Sequence, residues 1–123
     1  MPFTFEIDAN SELIRETWTG QVDIAQIKDS CAKEWAHPNY RPGIPIISDF
    51  RQATSAVESR ELMQFAIWFG DKDPPRKHAI VVGREVGFGF ARMFSLMSDA
   101  TRDSGSLTQA FYSYSEAEEW LRL

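Results

Sequence analysis

Polar residues that could do chemistry follow a short apolar run at residues 44–47. Asp49 and Arg51 come directly after this run, and Ser55 and Ser59 follow shortly afterwards. A carboxylate and a guanidinium at the end of a central strand can line a ligand or partner site. The same two side chains can instead form an ordinary surface or interstrand ion pair, worth about 0–1 kcal/mol. Both interpretations of Asp49 and Arg51 stay open.

The two serines have a structural and a regulatory interpretation. Ser55 and Glu58 have the spacing of a capping box, in which the serine accepts from a helix N–H and the glutamate reaches back. A phosphate at a helix N-terminus is electrostatically favourable, so Ser55 or Ser59 could also carry a phosphorylation switch. Capping alone is a sufficient reason for Ser55. The spacing predicts that residues 48–51 form a loop and that a helix begins after the cap Ser55, at Ala56.

Other residue types with chemical potential do not assemble into a motif. His37 and His78 belong to no metal-ligand spacing, and Cys31 lies on the apolar stripe of a predicted helix, as an inert buried thiol does. The glycines at residues 83–89 lack the Gly-Lys-Ser/Thr of a phosphate loop. No nucleophile and base lie together in the sequence, although distant residues can converge in a fold. The sequence therefore predicts no catalytic residue, no metal site and no cofactor.

Length and charge limit the classes of protein. The chain has 123 residues, which fits one domain covering residues 1–123, and 43% of them are apolar. Its net charge of −5 opposes binding to nucleic acid. No apolar stretch is long enough to span a bilayer, residues 1–4 do not resemble a secretion signal, and a single cysteine suits a reducing compartment. We expect a cytoplasmic protein.

Hydrophobic periodicity predicts alternating strands and helices. Strands are expected at residues 3–8, 12–19, 44–47, 78–83 and 107–113, and helices at residues 23–37, 56–70, 85–100 and 115–121. The second strand has a mixed pattern and is expected to be less buried. Asp23 with Gln26, and Ser115 with Glu118, have capping-box spacing at two of the helix starts. The order β-β-α-β-α-β-α-β-α favours a mixed five-stranded α/β sheet, with the first strand antiparallel.

Several segments resemble one family. The segments are WAHPNYRPG at residues 35–43, ISDFR at 47–51, GFARM at 89–93 and AEEWL at 117–121. Together with the order of elements they resemble bacterial STAS/SpoIIAA-like proteins, mostly uncharacterised, whose fold is shared in outline with CRAL-TRIO lipid-binding domains. The resemblance covers nearly the whole chain and implies a SpoIIAA-like fold.

The family's phosphorylation motif is altered here. Anti-sigma factor antagonists of this fold are phosphorylated on a serine in a run that resembles Asp-Ser-x-Gly. The corresponding residues 54–60 read TSAVESR, which lacks both the Asp-Ser pair and the glycine. Ser55 and Ser59 are the only natural candidates for such a switch in this chain.

Three functions follow, in decreasing order of preference. The first is a non-catalytic STAS-like interaction or regulatory module with a protein partner. The second is a carrier or sensor of a small apolar, lipid-like ligand, which the CRAL-TRIO relation and the abundance of Phe, Met and Trp suggest. The third is an enzyme.

Self-association is a further expectation. Trp68 is predicted on the polar side of the second helix, and Phe88 projects away from the core-facing side of the third. Met63 and Ile67 widen the apolar arc of the second helix. A contiguous exposed apolar group usually marks an interface, and the commonest one is a two-fold homodimer.

Overall fold

A computed structural model describes residues 3–7, 10, 13–55, 60–61, 64–65, 68, 76–83 and 108–122. Its strands are β1 (Phe3–Ile7), β2 (Ile14–Val22), β3 (Ile46–Ser55), β4 (His78–Val81) and β5 (Thr108–Phe111). Its helices are α1 (Ile24–Trp35) and α2 (Tyr114–Arg122). The described residues between 60 and 68 are also helical. The third predicted helix, at residues 85–100, lies outside the described residues.

The five strands form one mixed sheet in chain order, β1-β2-β3-β4-β5. β1 pairs with β2 in antiparallel fashion. The other three pairs, β2 with β3, β3 with β4 and β4 with β5, are parallel. The predicted α/β class, the mixed five-stranded sheet and the antiparallel first strand are confirmed. Parallel neighbours need a long connection between them. α1 lies in the connection from β2 to β3, and the helical residues described between 60 and 68 lie in the connection from β3 to β4.

Helices cover both faces of the sheet. We call the face towards α1 the front face; there Cys31 of α1 and Phe65 pack with Ile80 and Val82 of the sheet. On the opposite face, the back face, Ala117 of α2 packs with Ile47, Ala79 and Val81. Side chains alternate between the two faces along each strand, so neighbouring residues of β3 and β4 enter different cores.

The start of α1 is the capping box that the sequence predicted. Asp23 Oδ1 accepts from the Gln26 backbone N–H at 2.8 Å, and Gln26 Oε1 accepts from the Asp23 N–H at 2.9 Å. The backbone N–H groups of Gln26 and Asp23 are thereby both hydrogen-bonded, each by the other residue's side chain. At the other end α1 stops at Trp35, before the His37-Pro38 pair. Proline disfavours helical geometry in the residue that precedes it.

β2 and β3 are longer than predicted. β2 continues through Gly20, whose φ is +71°, to Val22, and β3 continues to Ser55. The last four residues of β2, from Thr19, pair with residues 52–55, so the two strands form a ribbon that outlasts the pairing of β3 with β4. The predicted loop at residues 48–51 is therefore wrong, because those residues are central in β3.

Two smaller predictions also differ from the structure. β2 is not a weakly buried strand. Ile14 and Trp18 are almost completely inaccessible, because Ile14 packs with Ile7, Ile44 and Ile46, and the Trp18 ring stacks on Phe50. α2 begins at Tyr114 rather than after Ser115, and Ser113 Oγ accepts from the Glu116 N–H at 3.3 Å. Ser113, two positions before the predicted Ser115, is therefore the N-terminal cap of α2.

Candidate functional site

A β-bulge interrupts the pairing of β2 with β3 beside Asp49. Thr17 pairs with Asp49 and Thr19 with Gln52, so two residues of β3, Phe50 and Arg51, stand opposite Trp18 alone. A bulge bends its strand, redirects a side chain and frees a backbone group from the ladder, and bulges are frequent next to functional sites. The backbone therefore presents Arg51 differently from a regular strand residue.

Asp49 holds the arginine of the bulge with three hydrogen bonds. Its Oδ1 accepts from the Arg51 backbone N–H at 3.0 Å and from Arg51 Nε at 2.9 Å, and its Oδ2 accepts from Nη2 at 2.7 Å. The ion pair that the sequence left open thus forms within one strand, with bidentate geometry. One carboxylate both satisfies the backbone of the bulge and fixes the guanidinium.

This pairing shifts both ionisation equilibria. Partial burial raises the pKa of Asp49, but the hydrogen bonds and the charge of Arg51 outweigh burial and hold that pKa below its ordinary value. The hydrogen bond to Asp49 raises the pKa of Arg51, against a smaller opposing effect of burial. Asp49 and Arg51 therefore stay charged throughout the physiological range.

Tyr114, the first residue of α2, joins this pair to another arginine. The Arg51 guanidinium carbon lies 5.5 Å from the Tyr114 ring centre, in cation–π geometry. Arg15 of β2 donates from Nη1 to the Tyr114 hydroxyl at 3.0 Å, and its Nη2 lies 2.9 Å from Glu118 Oε2. Burial lowers the pKa of Arg15, but the hydrogen bonds to Tyr114 and Glu118 outweigh it and leave the pKa raised.

We call these five side chains the bulge surface. They come from β2, β3 and α2 and lie together on the back face of the sheet: Arg15, Asp49, Arg51, Tyr114 and Glu118. Guanidinium groups donate hydrogen bonds and stack on rings but do not act as bases at neutral pH. The chemistry available here is recognition of anionic or aromatic groups. Among the described residues, no group of His, Cys, Asp and Glu is arranged to hold a metal ion.

A second polar cluster lies under the front face. Ser48 Oγ donates to Glu16 Oε1, and His78 Nε2 lies 2.7 Å from the same hydroxyl. Trp18 Nε1 also donates to Glu16 Oε1, at 3.2 Å. Glu16 and Ser48 are paired across β2 and β3, and His78 is the first residue of β4, so three neighbouring strands supply the cluster.

This cluster contains a serine and a histidine but is not built like a nucleophilic triad. In such a triad the acid orients the far nitrogen of the histidine, whereas Glu16 accepts from Ser48 itself. Ser48 has one hydroxyl proton, and it donates that proton to Glu16, so the proton is not directed at His78. Ser48 is also only 1% exposed, which keeps a substrate away from its oxygen.

The other residues singled out from the sequence are distributed as follows. Ser55 is the last residue of β3, while Ser59 and Phe88 lie outside the described residues. The half-buried Trp68 packs against Trp35 and Phe65, with ring centres 5.8 Å apart in both pairs. Lys28 Nζ lies 5.0 Å from the Trp68 ring centre. Trp68 therefore packs with the apolar residues of the front face, whereas Asp49 and Arg51 lie on the back face.

Sequence reasoning missed Glu16 and His78, and it missed Arg15 and Tyr114 as partners of Arg51. Glu16 did give a signal, because it shares one face of β2 with Ile14 and Trp18. A charged residue in an apolar stripe requires a buried hydrogen-bond partner. Arg15 and Tyr114 gave none, because 99 positions of sequence separate them.

Comparison with known proteins identifies the fold. No protein-family model matches the chain, and no curated protein resembles it significantly. The chain is similar in structure to an uncharacterised protein of the DUF3478 family from Shewanella loihica PV-4, which has a SpoIIAA-like fold. The likeness has a TM-score of 0.61 and 13% sequence identity and covers 97% of this chain and 93% of that one. The predicted SpoIIAA-like fold is thereby confirmed.

None of the helices in the described part of the chain combines the length and the apolar composition that a bilayer crossing demands.

Proposed function

We propose that this protein is a non-catalytic interaction or regulatory module that works in the cytoplasm and binds a protein partner through the bulge surface. The observation that carries the proposal is the state of Arg51. Its guanidinium donates two hydrogen bonds to Asp49 and lies over the ring of Tyr114, yet 45% of the side chain is exposed to solvent. An immobilised arginine with its donors at the surface is prepared for recognition.

Preorganisation is the physical reason for this choice. Ordering a long side chain at an interface costs about 0.5–1.5 kcal/mol, and a side chain already fixed in the free protein avoids most of that cost. Arginine and tyrosine are also the residue types over-represented among interface residues that dominate binding energy. Arg51 and Tyr114 satisfy both conditions on one continuous surface.

The buried cluster on the front face supports a non-catalytic role. Its serine is inaccessible and donates its hydroxyl proton to Glu16 rather than to the histidine. The proposal accordingly includes no cofactor. With a net charge of −5 it also includes no nucleic-acid partner.

Site-specific crosslinking in living cells tests the proposal. A photoreactive residue at Thr17, which is exposed and paired with Asp49, should give a crosslinked species of defined mass. The substitution Arg51→Glu in the same protein should remove that species. The matched control places the photoreactive residue at Ala32, an exposed position of α1, the helix on the front face. The same product from both positions, or a product indifferent to Arg51→Glu, would contradict the proposal.

A second candidate is a carrier or sensor of a small apolar ligand. The front face supports it, because Trp18 and Phe50 stack with ring centres 5.4 Å apart beside the cluster of Glu16, Ser48 and His78. Ligand sites are commonly apolar with a few convergent polar groups. Native mass spectrometry of the purified protein decides between the two: a retained apolar molecule at stoichiometric level favours the carrier, and its loss in His78→Ala would locate it.

Self-association is a separate proposal, because its anchor residues do not belong to the bulge surface. We retain the homodimer, with Trp68 or Phe88 as its anchor, as the specific form of self-association. A phosphorylation switch at Ser55 or Ser59 also remains a proposal, and phosphopeptide mapping from the native organism tests it.

A further inference from the structure

We propose that the partner of the bulge surface presents an acidic segment, whose carboxylates bind Arg51, Arg15 and Arg122 in turn. This inference rests on the proposed function and specifies the partner's chemistry. It follows from the way in which the charges of this surface are exposed, although the protein as a whole is acidic.

The cations of the bulge surface, and Arg122 next to it, face solvent, and the anions lie behind them. The side chains of Arg15, Arg51 and Arg122 are 36%, 45% and 76% exposed. Those of their partners Asp49 and Glu118 are only 17% and 23% exposed. Within these ion pairs, three arginines against two carboxylates leave one net positive charge. The exposed Glu6 lies opposite Arg15 in the register of β1 and β2 and is an anion beside this network. A chain of net charge −5 thus presents a cationic strip.

The strip is continuous from β3 along α2. Arg51 lies over Tyr114, and Arg15 bridges Tyr114 and Glu118. Arg122 Nη2 continues the line at 3.9 Å from Glu118 Oε2. Tyr114, Glu118 and Arg122 are spaced four residues apart and therefore share one side of the helix. An extended segment can follow this line and meet a guanidinium at each step.

Of the two exposed glutamates of α2, only one lies beside the strip. Glu116 is placed about 200° around the helix from Glu118 and so points away from it. Glu119 is three residues before Arg122 and is its neighbour on the helix surface. Glu119 should repel an acidic partner at that end, so neutralising it should strengthen binding.

A defined probe tests the inference without the natural partner. The probe is a fluorescein-labelled, glutamate-rich peptide with a matched lysine-rich peptide, and anisotropy is read at ~20 mM and ~150 mM salt. The glutamate-rich peptide should bind and the lysine-rich one should not, and binding should weaken at the higher salt. Arg51→Glu and Arg122→Glu should each lower the affinity for the glutamate-rich peptide about threefold to fivefold. Glu119→Gln should raise that affinity about twofold.

The matched control is Lys33→Glu. Lys33 is an exposed cation of α1, paired with Asp29 at 3.0 Å, so its reversal changes the net charge equally and also breaks an ion pair. Circular dichroism of each variant verifies folding. Affinity that falls equally in Lys33→Glu would show a general charge effect and would overturn the inference. Absence of peptide binding at ~20 mM salt, or tighter binding to an oligonucleotide or to vesicles of anionic lipid, would also overturn it.

The two levels of the proposal fail separately. If Arg51→Glu abolishes the crosslink from Thr17 while the glutamate-rich peptide does not bind, the interaction surface stands and an acidic partner is excluded. If neither position 17 gives a crosslink nor the peptide binds, the proposed function itself fails.

Discussion

Ser48 and Asp49 illustrate how two neighbouring residues can look alike in sequence and differ in role. In the sequence Ser48 precedes Asp49, in a segment that the pattern predicts to be a polar loop. In the fold the two residues are neighbours on β3 that point to opposite faces. Ser48 is buried with Glu16 and His78 on the front face, whereas Asp49 holds Arg51 on the back. One position along a strand separates a buried structural cluster from a surface site.

We predict that Ser48→Ala lowers the free energy of unfolding by about 1–3 kcal/mol, because Glu16 and His78 each lose a buried hydrogen-bond partner. Urea denaturation measures the change. Ser30→Ala is the matched control: Ser30 is also buried, but its hydroxyl only donates to the Ile27 carbonyl of its own helix, at 2.6 Å. Its removal should cost less than about 1 kcal/mol. Equal losses in the two variants would contradict a special role for the buried cluster.

We predict that the stabilising effect of Asp49 depends on pH. Its pKa in the folded protein is lowered, so the unfolded chain binds more protons between the folded value and the ordinary value of ~3.9. The stability that Asp49 contributes is therefore complete above the ordinary value and is lost as the pH falls through the folded value. The difference in unfolding free energy between wild type and Asp49→Asn should be constant above about pH 5 and shrink towards pH 3.

Urea denaturation of both proteins at several pH values measures this difference. Asp29→Asn serves as the control, because Asp29 is 63% exposed and its pair with Lys33 is an ordinary helix pair worth about 0.3 kcal/mol. A difference for Asp49→Asn that grows on acidification would mean that the pairing with Arg51 does not stabilise the fold.

Among the elements, β1, β2 and α1 could be located from the sequence because local rules determine them. Alternation marks β1, and an acidic cap three residues before a glutamine marks α1. The full length of β3 could not be predicted. Its last residues, from Gln52 to Ser55, are mostly polar, with Gln52 and Thr54 exposed, and they are in a strand only because β2 runs beside them. Pairing with a distant segment overrides a local pattern that is typical of a loop.

The cap of α1 gives a prediction at this scale. Asp23→Ala should lower the free energy of unfolding by about 1 kcal/mol, because the Gln26 N–H loses its acceptor. Asp29→Asn, in the middle of the same helix, removes only an exposed pair at nearly unchanged helix propensity and should cost about 0.3 kcal/mol. Thermal or urea unfolding of the two variants compares them. The box is coupled, so the loss in Gln26→Ala and the loss in Asp23→Ala should not add in the double variant; additive losses would argue against it.

For the whole molecule, the fold was more predictable than the site. The order of strands and helices requires a mostly parallel sheet, and a protein with 13% identity adopts a similar fold. The bulge surface depends instead on three separate elements that bring Arg15, Asp49 and Tyr114 together. No periodicity encodes that convergence. Local sequence rules describe which elements exist, and the pairing of distant elements decides which side chains meet.

The last prediction concerns the assembled protein. We expect a two-fold homodimer anchored by Trp68 or Phe88. Packing against Trp35 and Phe65 accounts for only part of the Trp68 ring, which stays half-buried beside Lys28. A cyclic dimer is the commonest way for a protein to cover such an apolar surface, and it buries about 800 Å² per partner.

Sedimentation at micromolar concentration should therefore give a dimer for the wild type and a monomer when Trp68→Glu and Phe88→Glu are combined. Trp68→Glu also removes contacts within the chain, so circular dichroism must show that the double variant is folded before its mass is interpreted. The single variant Lys28→Glu is the control, because it changes the cation over Trp68 but leaves the ring in place. A wild-type monomer excludes the dimer. A folded double variant that still dimerises places the interface elsewhere, and the bulge surface on the opposite face of the sheet would then be the next surface to mutate.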